Sequence, residues 1–154
     1  MKIQTLIDPS QVHLNLDAAT LEEALNIVSE FTAPAVHLSS EAVAEGLLER
    51  EKLGSTAIGG GFAIPHCKLR GVKDLVIILA RFRKSVPFGT PHGEDVRFLF
   101  VVLSPPDHPA VHLQALSQIA RTLKSEEIRR RLMEVQEPAE IVEIVKGAAD
   151  GEHL

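Results

Sequence analysis

Two nearly unbroken apolar runs, LVIILARF at 75–82 and VRFLFVVL at 96–103, constrain this chain more than any other feature. A strand with one face in water alternates apolar and polar side chains, but these runs are apolar at almost every position. They are therefore predicted as strands covered on both faces, in the middle of a sheet with helices on each side. Two shorter strands are expected at VHLNL (12–16), which alternates, and at Phe62–Ile64.

Helical signals separate these strands. Thr20 followed by Glu23 has the spacing of a capping box, and Leu21, Ala24, Leu25, Val28 and Phe31 then form an apolar stripe. A second helix is expected from Ser39 or Ser40, burying Val43, Leu47 and Leu48 and ending near Gly54 as a left-handed C-cap. Pro105 and Pro106 stop the second long run. Asp107 or His108 then caps a helix with Pro109 in its first turn, where a missing N–H is harmless. The expected buried side of that helix is Leu113, Leu116, Ile119, Ala120 and Leu123. Further helices are expected from Ser125 and from Glu137-Pro138. Helices alternating with buried strands predict an α/β fold: a single layered domain over 1–154, its mostly buried sheet flanked by helices on both faces, with strand order left open.

Composition narrows the function. A formal net charge of −5 with 4% aromatic residues leaves no electrostatic footprint for nucleic acid. The lone cysteine, Cys67, excludes an internal disulfide framework and suits a reducing compartment. The N-terminal MKIQTLIDPS lacks the apolar core of a signal peptide, and no segment approaches the roughly 20 apolar residues of a membrane span. A cytoplasmic protein without membrane insertion is expected. The basic cluster Arg129-Arg130-Arg131 reads as a solvated helix face beside Glu126 and Glu127.

Several familiar chemistries fail on their residues. Gly59-Gly60-Gly61 lacks the Lys-Ser or Lys-Thr of a phosphate-binding loop, and Ile64 stands where a dinucleotide fingerprint needs glycine. These glycines are read instead as turn and close-approach positions. His108 and His112 have the spacing of a helical metal pair, but Pro109 replaces the glutamate of a zinc hydrolase and no further ligands are evident, so no metal is expected. No G-x-S-x-G elbow is present. His66 and Cys67 are neighbours on an extended segment, so their side chains diverge and do not form a nucleophile pair. His112, in the first turn of its helix, is either a hydrogen-bonded helix residue or one that points into a cleft.

The segment GSTAIGGGFAIPH (54–66) resembles the active-site segment of enzyme IIA domains of the bacterial phosphotransferase system, of the fructose, mannitol and nitrogen-regulatory type. The resemblance continues through Arg50-Glu51, VPF at 86–88, DVRFLFVVLSP at 95–105 and HLQALSQIA at 112–120, from about residue 5 to residue 146. Cys67 departs from it, standing where a small residue is usual. The resemblance implies that His66 accepts phosphate from a phosphohistidine carrier of the HPr type. His112 orients or stabilises the phosphate, and Arg50 contacts phosphate or partner. It implies a mixed sheet and no cofactor. The downstream partner is a IIB domain in a sugar permease or a regulated target protein, and the nitrogen-regulatory role is the favoured one. A binding module that keeps the fold without phosphorylation is the third reading. Pro65 and the glycines are expected to present His66 with little ordering cost.

Overall fold

Side chains of the two apolar runs alternate between two separate cores, as strands covered on both faces require. In the computed structural model, which describes residues 2–89 and 94–151, Ile77, Leu79, Phe98, Phe100 and Val102 enter one core, and Ile78, Ala80, Leu99, Val101 and Leu103 enter the other. The chain runs through 3-10 turns at Ile3–Leu6 and Pro9–Gln11, then β1 (Val12–Leu16), α1 (Leu21–Val36) and α2 (Ser40–Lys52). There follow β2 (Ala57–Gly59), β3 (Phe62–Ala63), β4 (His66–Lys68), β5 (Val76–Pro87) and β6 (Asp95–Ser104). Three helices close the fold: α3 (Pro109–Thr122), α4 (Glu126–Glu134) and α5 (Pro138–Gly151). Met1 and residues 152–154, included in the expected domain, lie outside the described residues.

The sheet order is β1-β5-β6-β3-β2, with β4 also paired to β6. β1 is parallel to β5, β5 antiparallel to β6, and β3 and β4 are both parallel to β6. Helices α1 and α2 cover one face, and α3, α4 and α5 the other. A tilted ladder of phenylalanines, Phe62, Phe98 and Phe100, crosses from β3 to β6 with successive ring centroids 5.3 Å apart.

Helix starts follow the predicted caps. Thr20 accepts from the Glu23 N–H at 3.1 Å, while the Glu23 carboxylate reaches back to the Ala19 N–H at 2.7 Å. Ser39 and Ser125 cap α2 and α4 with the forward bond alone, their hydroxyls accepting from the Ala42 and Ile128 N–H groups. Other expectations need correction. α2 ends near Gly54 as expected, and Gly54 has a φ of 152°, which favours glycine, but the C-cap itself is Leu53 in right-handed geometry, with the Leu53 and Gly54 N–H groups closing onto the Arg50 and Glu51 carbonyls. Of the side expected for α3, Ile119 and Leu123 are buried and Leu116 is half-buried against the core, but Leu113 and Ala120 are exposed; His112, Ala115 and Thr122 are buried in addition. The buried side thus includes His112, and apolarity alone does not reveal its hydroxyl partner at the sheet. β5 continues five residues beyond Phe82, where exposed Arg83, Lys84 and Ser85 hide the strand from a search for apolar residues, and its register shifts there.

The glycine triplet forms the turn between β2 and β3. Gly60 and Gly61 have φ of 65° and 89°, a region that side chains rarely adopt. A Cβ on Gly60 would meet Arg129 Nε at 3.2 Å, and one on Gly61 would meet Met133 Cε at 3.0 Å. α4 therefore presses directly on this hairpin, and the turn and close-approach reading holds.

Candidate phosphoryl-acceptor site

The segment that follows the hairpin is one strand interrupted by a proline. Phe62 pairs with Phe98 and Ala63 with Leu99; beyond the break His66 pairs with Val102 and Cys67 with Leu103, in unchanged register. The Pro65 carbonyl accepts from the Val102 N–H at 2.9 Å, and the Ile64 N–H donates to the Thr56 carbonyl at 3.0 Å. Thr56 in turn is held by Glu51 of α2, whose carboxylate takes both its N–H and its hydroxyl. Burial raises the Glu51 pKa, against these hydrogen bonds and the nearby Arg50 charge. The sequence suggests an isolated strand at 62–64 with His66 at its end, whereas the structure carries pairing on to Lys68.

Strand alternation then separates the two neighbours. His66 shares the face of Val102, beneath α3, while Cys67 shares that of Leu103 and packs against α2. The Cys67 Sγ lies 3.1 Å from the place a Cβ on Gly46 would occupy, and burial pushes the thiol up to about 11. A thiol so buried and so weakly acidic is a packing group.

His66 is half-buried, and its Nδ1 lies 2.6 Å from the Ile64 carbonyl oxygen. A carbonyl only accepts, so Nδ1 carries the proton and Nε2 carries the lone pair. Burial lowers the pKa of His66, the Ile64 bond opposes this, and the Arg50 charge lowers it further. The ring is thereby kept neutral at neutral pH. His112 approaches from the first turn of α3, its ring centroid 5.4 Å from that of His66 and its plane inclined by 54°. It is 8% exposed, and its Nδ1 meets the Ser104 hydroxyl. Burial first, then the charges of His66, Lys68 and Arg50, push it down to about 4. Arg50, in the last turn of α2, donates from Nη1 to the Gly54 carbonyl at 2.8 Å and makes itself felt at both rings. The structure thus gathers the three residues singled out in the sequence, one each from β4, α3 and α2.

Two further groups belong with them. The Ile64 carbonyl is a backbone atom and leaves no trace in residue identity. Ser104 left a small one, as the polar residue that follows the apolar run at 98–103 before two prolines. His108, the other half of the suspected metal pair, is the exposed N-cap of α3 with Nε2 3.9 Å from Asp107, so the two imidazoles do not share a helical face.

The match to known proteins covers nearly the whole of this arrangement. Residues 5–148 fit the model of the family described as phosphoenolpyruvate-dependent sugar phosphotransferase system, EIIA 2. The chain belongs to the EIIA 2 family. It is 39% identical over 140 residues to a nitrogen regulatory protein of Klebsiella oxytoca, spanning 90% of this chain and 84% of that protein. The crystal structure of nitrogen regulatory protein IIA-Ntr from Neisseria meningitidis superposes with a TM-score of 0.88 at 32% identity, covering 93% of this chain and 98% of the other. A fructose-specific EIIABC component of Bacillus subtilis (strain 168) is 30% identical over 146 residues, 94% of this chain and 23% of that larger protein. Arg50, His66 and His112 of this EIIA 2 domain all lie inside the matched region.

The depressed histidines make a statement about stability. A histidine whose folded pKa is below its unfolded value binds fewer protons when folded, so stability is complete above the ordinary value of 6.5 and is lost as pH falls toward about 4. His66 acts in the same direction. The urea midpoint is expected to fall between about pH 7 and about pH 4.5, and to fall less in His112→Gln. Equal slopes in the two proteins would remove His112 as the source.

Proposed function

We propose that this chain is a phosphoryl carrier of the nitrogen-regulatory kind, accepting phosphate on Nε2 of His66 from a phosphohistidine protein of the HPr type. The observation that supports this best is the His66 tautomer: Nδ1 is committed to the Ile64 carbonyl, and Nε2 has no hydrogen bond to any described residue. In the transfer, the Nε2 lone pair forms a new P–N bond as the bond from phosphorus to the donor ring nitrogen breaks, its electron pair staying with that donor. The Nδ1 proton stays on His66, where the carbonyl supports the charge the ring acquires. A donor ring protonated at its far nitrogen leaves neutral. Transfer of this sort depends on in-line positioning and on stabilising charge spread over the phosphoryl oxygens. Arg50 and His112 are placed for that stabilisation, and a guanidinium is the better fit to paired oxygens.

The docking surface is expected to be a protein surface. Leu53, three residues past Arg50, is 84% exposed, and Leu113, next to His112, is 68% exposed. Large exposed apolar groups close in sequence to the site residues suit a transient protein visitor. Uptake of phosphate adds about −1.5 to −2 charges at one point, enough to change which target binds. Among the described residues no helix is long and apolar enough to cross a membrane. A cytoplasmic location, where such carriers meet, completes the proposal.

A second reading, the IIA component of a sugar permease passing phosphate to a IIB domain, is favoured by the Bacillus subtilis fructose relative. One experiment addresses both. The protein is incubated with enzyme I, labelled phosphoenolpyruvate and either a nitrogen-branch or a sugar-branch HPr. Acid-labile, base-stable label is expected, arriving faster from the nitrogen-branch donor. Faster labelling from the sugar-branch donor selects the permease component, and no label from either donor ends the carrier reading.

Pro65→Ala tests the presentation of His66. Relaxing a fixed backbone angle changes stability by about 0.4–1 kcal/mol, whereas the rate of uptake is expected to fall several-fold. Equal uptake rates for the two proteins would show that Pro65 is not needed to aim the ring.

A further inference from the structure

Ser104 ends β6 and is fully buried, with its hydroxyl against Nδ1 of His112. Its backbone is fixed independently, because the Ser104 carbonyl accepts from the Leu69 N–H at 3.1 Å and Ser104 is in register with Lys68. It stands two residues along β6 from Val102, the register partner of His66, and therefore on the same face of the sheet. Eight residues on, α3 brings His112 back over this spot, so one contact ties the two ends of the connection together.

A hydroxyl always carries a proton to donate, and a buried donor without an acceptor is costly. Among the described residues the Ser104 hydroxyl has one hydrogen-bond partner, the His112 Nδ1. The proton therefore points at Nδ1, which makes Nδ1 an acceptor. A neutral imidazole has one N–H, and with Nδ1 accepting, that N–H is at Nε2. The reverse arrangement, Nδ1–H donating to Ser104, would leave the hydroxyl proton buried without an acceptor.

We infer that Ser104 is a positioning residue that holds His112 as the Nε2–H tautomer, so that the two rings of the site are set in opposite states, His66 as lone-pair nucleophile and His112 as hydrogen-bond donor to the arriving phosphoryl oxygens. This rests on the phosphocarrier reading for its purpose but not for its geometry. A carbonyl beneath one ring and a hydroxyl beneath the other sort two identical side chains into two roles. His66 needs an acceptor at Nδ1, and Ile64 supplies it. His112 needs a donor at Nδ1, and Ser104 supplies it. Burial holds His112 well below the neutral range, so a donor role at pH 7 depends on the tautomer and not on a full positive charge.

Long-range proton–nitrogen NMR of the unphosphorylated protein reads the tautomers directly. The proton is expected on Nδ1 of His66 and on Nε2 of His112. A His112 proton on Nδ1, or one tautomer shared by both rings, overturns the inference even if the protein proves to be an efficient carrier. Conversely, opposite tautomers in a protein that takes up no phosphate would uphold the geometry and end the carrier reading. Kinetics supply the second arm. With phosphorylated HPr as donor, Ser104→Ala is expected to lower the transfer rate constant about tenfold, since the ring loses the partner that orients it, with KM for the donor unchanged. Ser104→Thr, which keeps the hydroxyl, is expected to recover most of the rate. Transfer by Ser104→Ala at the wild-type rate, or a loss that appears only in KM, would reduce Ser104 to a staple for the loop.

Discussion

His66→Gln is expected to take up no phosphate from phosphorylated HPr while melting close to the parent protein. Amide nitrogen is a poor nucleophile, because its lone pair is delocalised into the carbonyl, so the chemical step is lost outright. The fold has little reason to suffer. His66 is half-buried on a strand at the margin of the sheet, and its one side-chain hydrogen bond runs to a carbonyl two residues away. A glutamine amide can donate to that carbonyl. Substitutions away from a tight core usually move stability by only a few tenths of a kcal/mol. The measurement is label incorporated per chain, with circular dichroism and a melting curve as the control for folding. Stoichiometric label on His66→Gln would move the acceptor elsewhere, and His112 would be the next residue to replace.

Phe98→Ala is expected to be the most damaging single change to the fold. Phe98 is fully buried in the middle of β6, with Phe62 on one side and Phe100 on the other, each at 5.3 Å. Truncating a buried phenylalanine costs about 3–5 kcal/mol through lost transfer energy and the remaining cavity. Two tilted ring pairs, worth about 0.5–1.5 kcal/mol each, are lost with it. Since a domain of this kind has only about 5–15 kcal/mol of net stability, the variant should unfold at much lower urea or not fold at all. Phe62 lies on β3, three residues before Pro65, so loosening the ladder also releases the strand that carries His66. A urea midpoint within experimental error of the parent would contradict this account of the core.

Much of the architecture was legible because it rests on patterns that residue identity carries well. The double-sided burial of β5 and β6 was written in Ile77 to Phe82 and Phe98 to Leu103, and the helix starts in Thr20, Ser39 and Ser125. What stayed hidden depended on pairing. β2 and β4 are three residues each, and only their register with β3 and β6 makes them strands. On α3, Ile119 and Leu123 were legible as buried, but Leu113 was chosen over His112 because it outranks it in hydropathy, whereas His112 has a buried partner in Ser104. Gly54 does follow α2 with a positive φ, but the cap one residue earlier is Leu53, closed by the Arg50 and Glu51 carbonyls, which residue identity does not show. His66, His112 and Arg50, which the structure brings together, were singled out through the motifs that contain them. The groups bonded to each ring were not, since one is a main-chain oxygen and the other a serine whose partner emerges only when α3 folds back over β6.

His66 and the oxygen that orients it sit two residues apart on a single strand, so their relation is fixed by local backbone and needs no visitor to assemble it. On the proposed carrier reading, the nucleophile is therefore already set in the isolated domain, and choice among partners falls to the surrounding surface. Exchanging exposed residues of that surface for those of a relative is a route to changing the partner while leaving the His66 ring untouched.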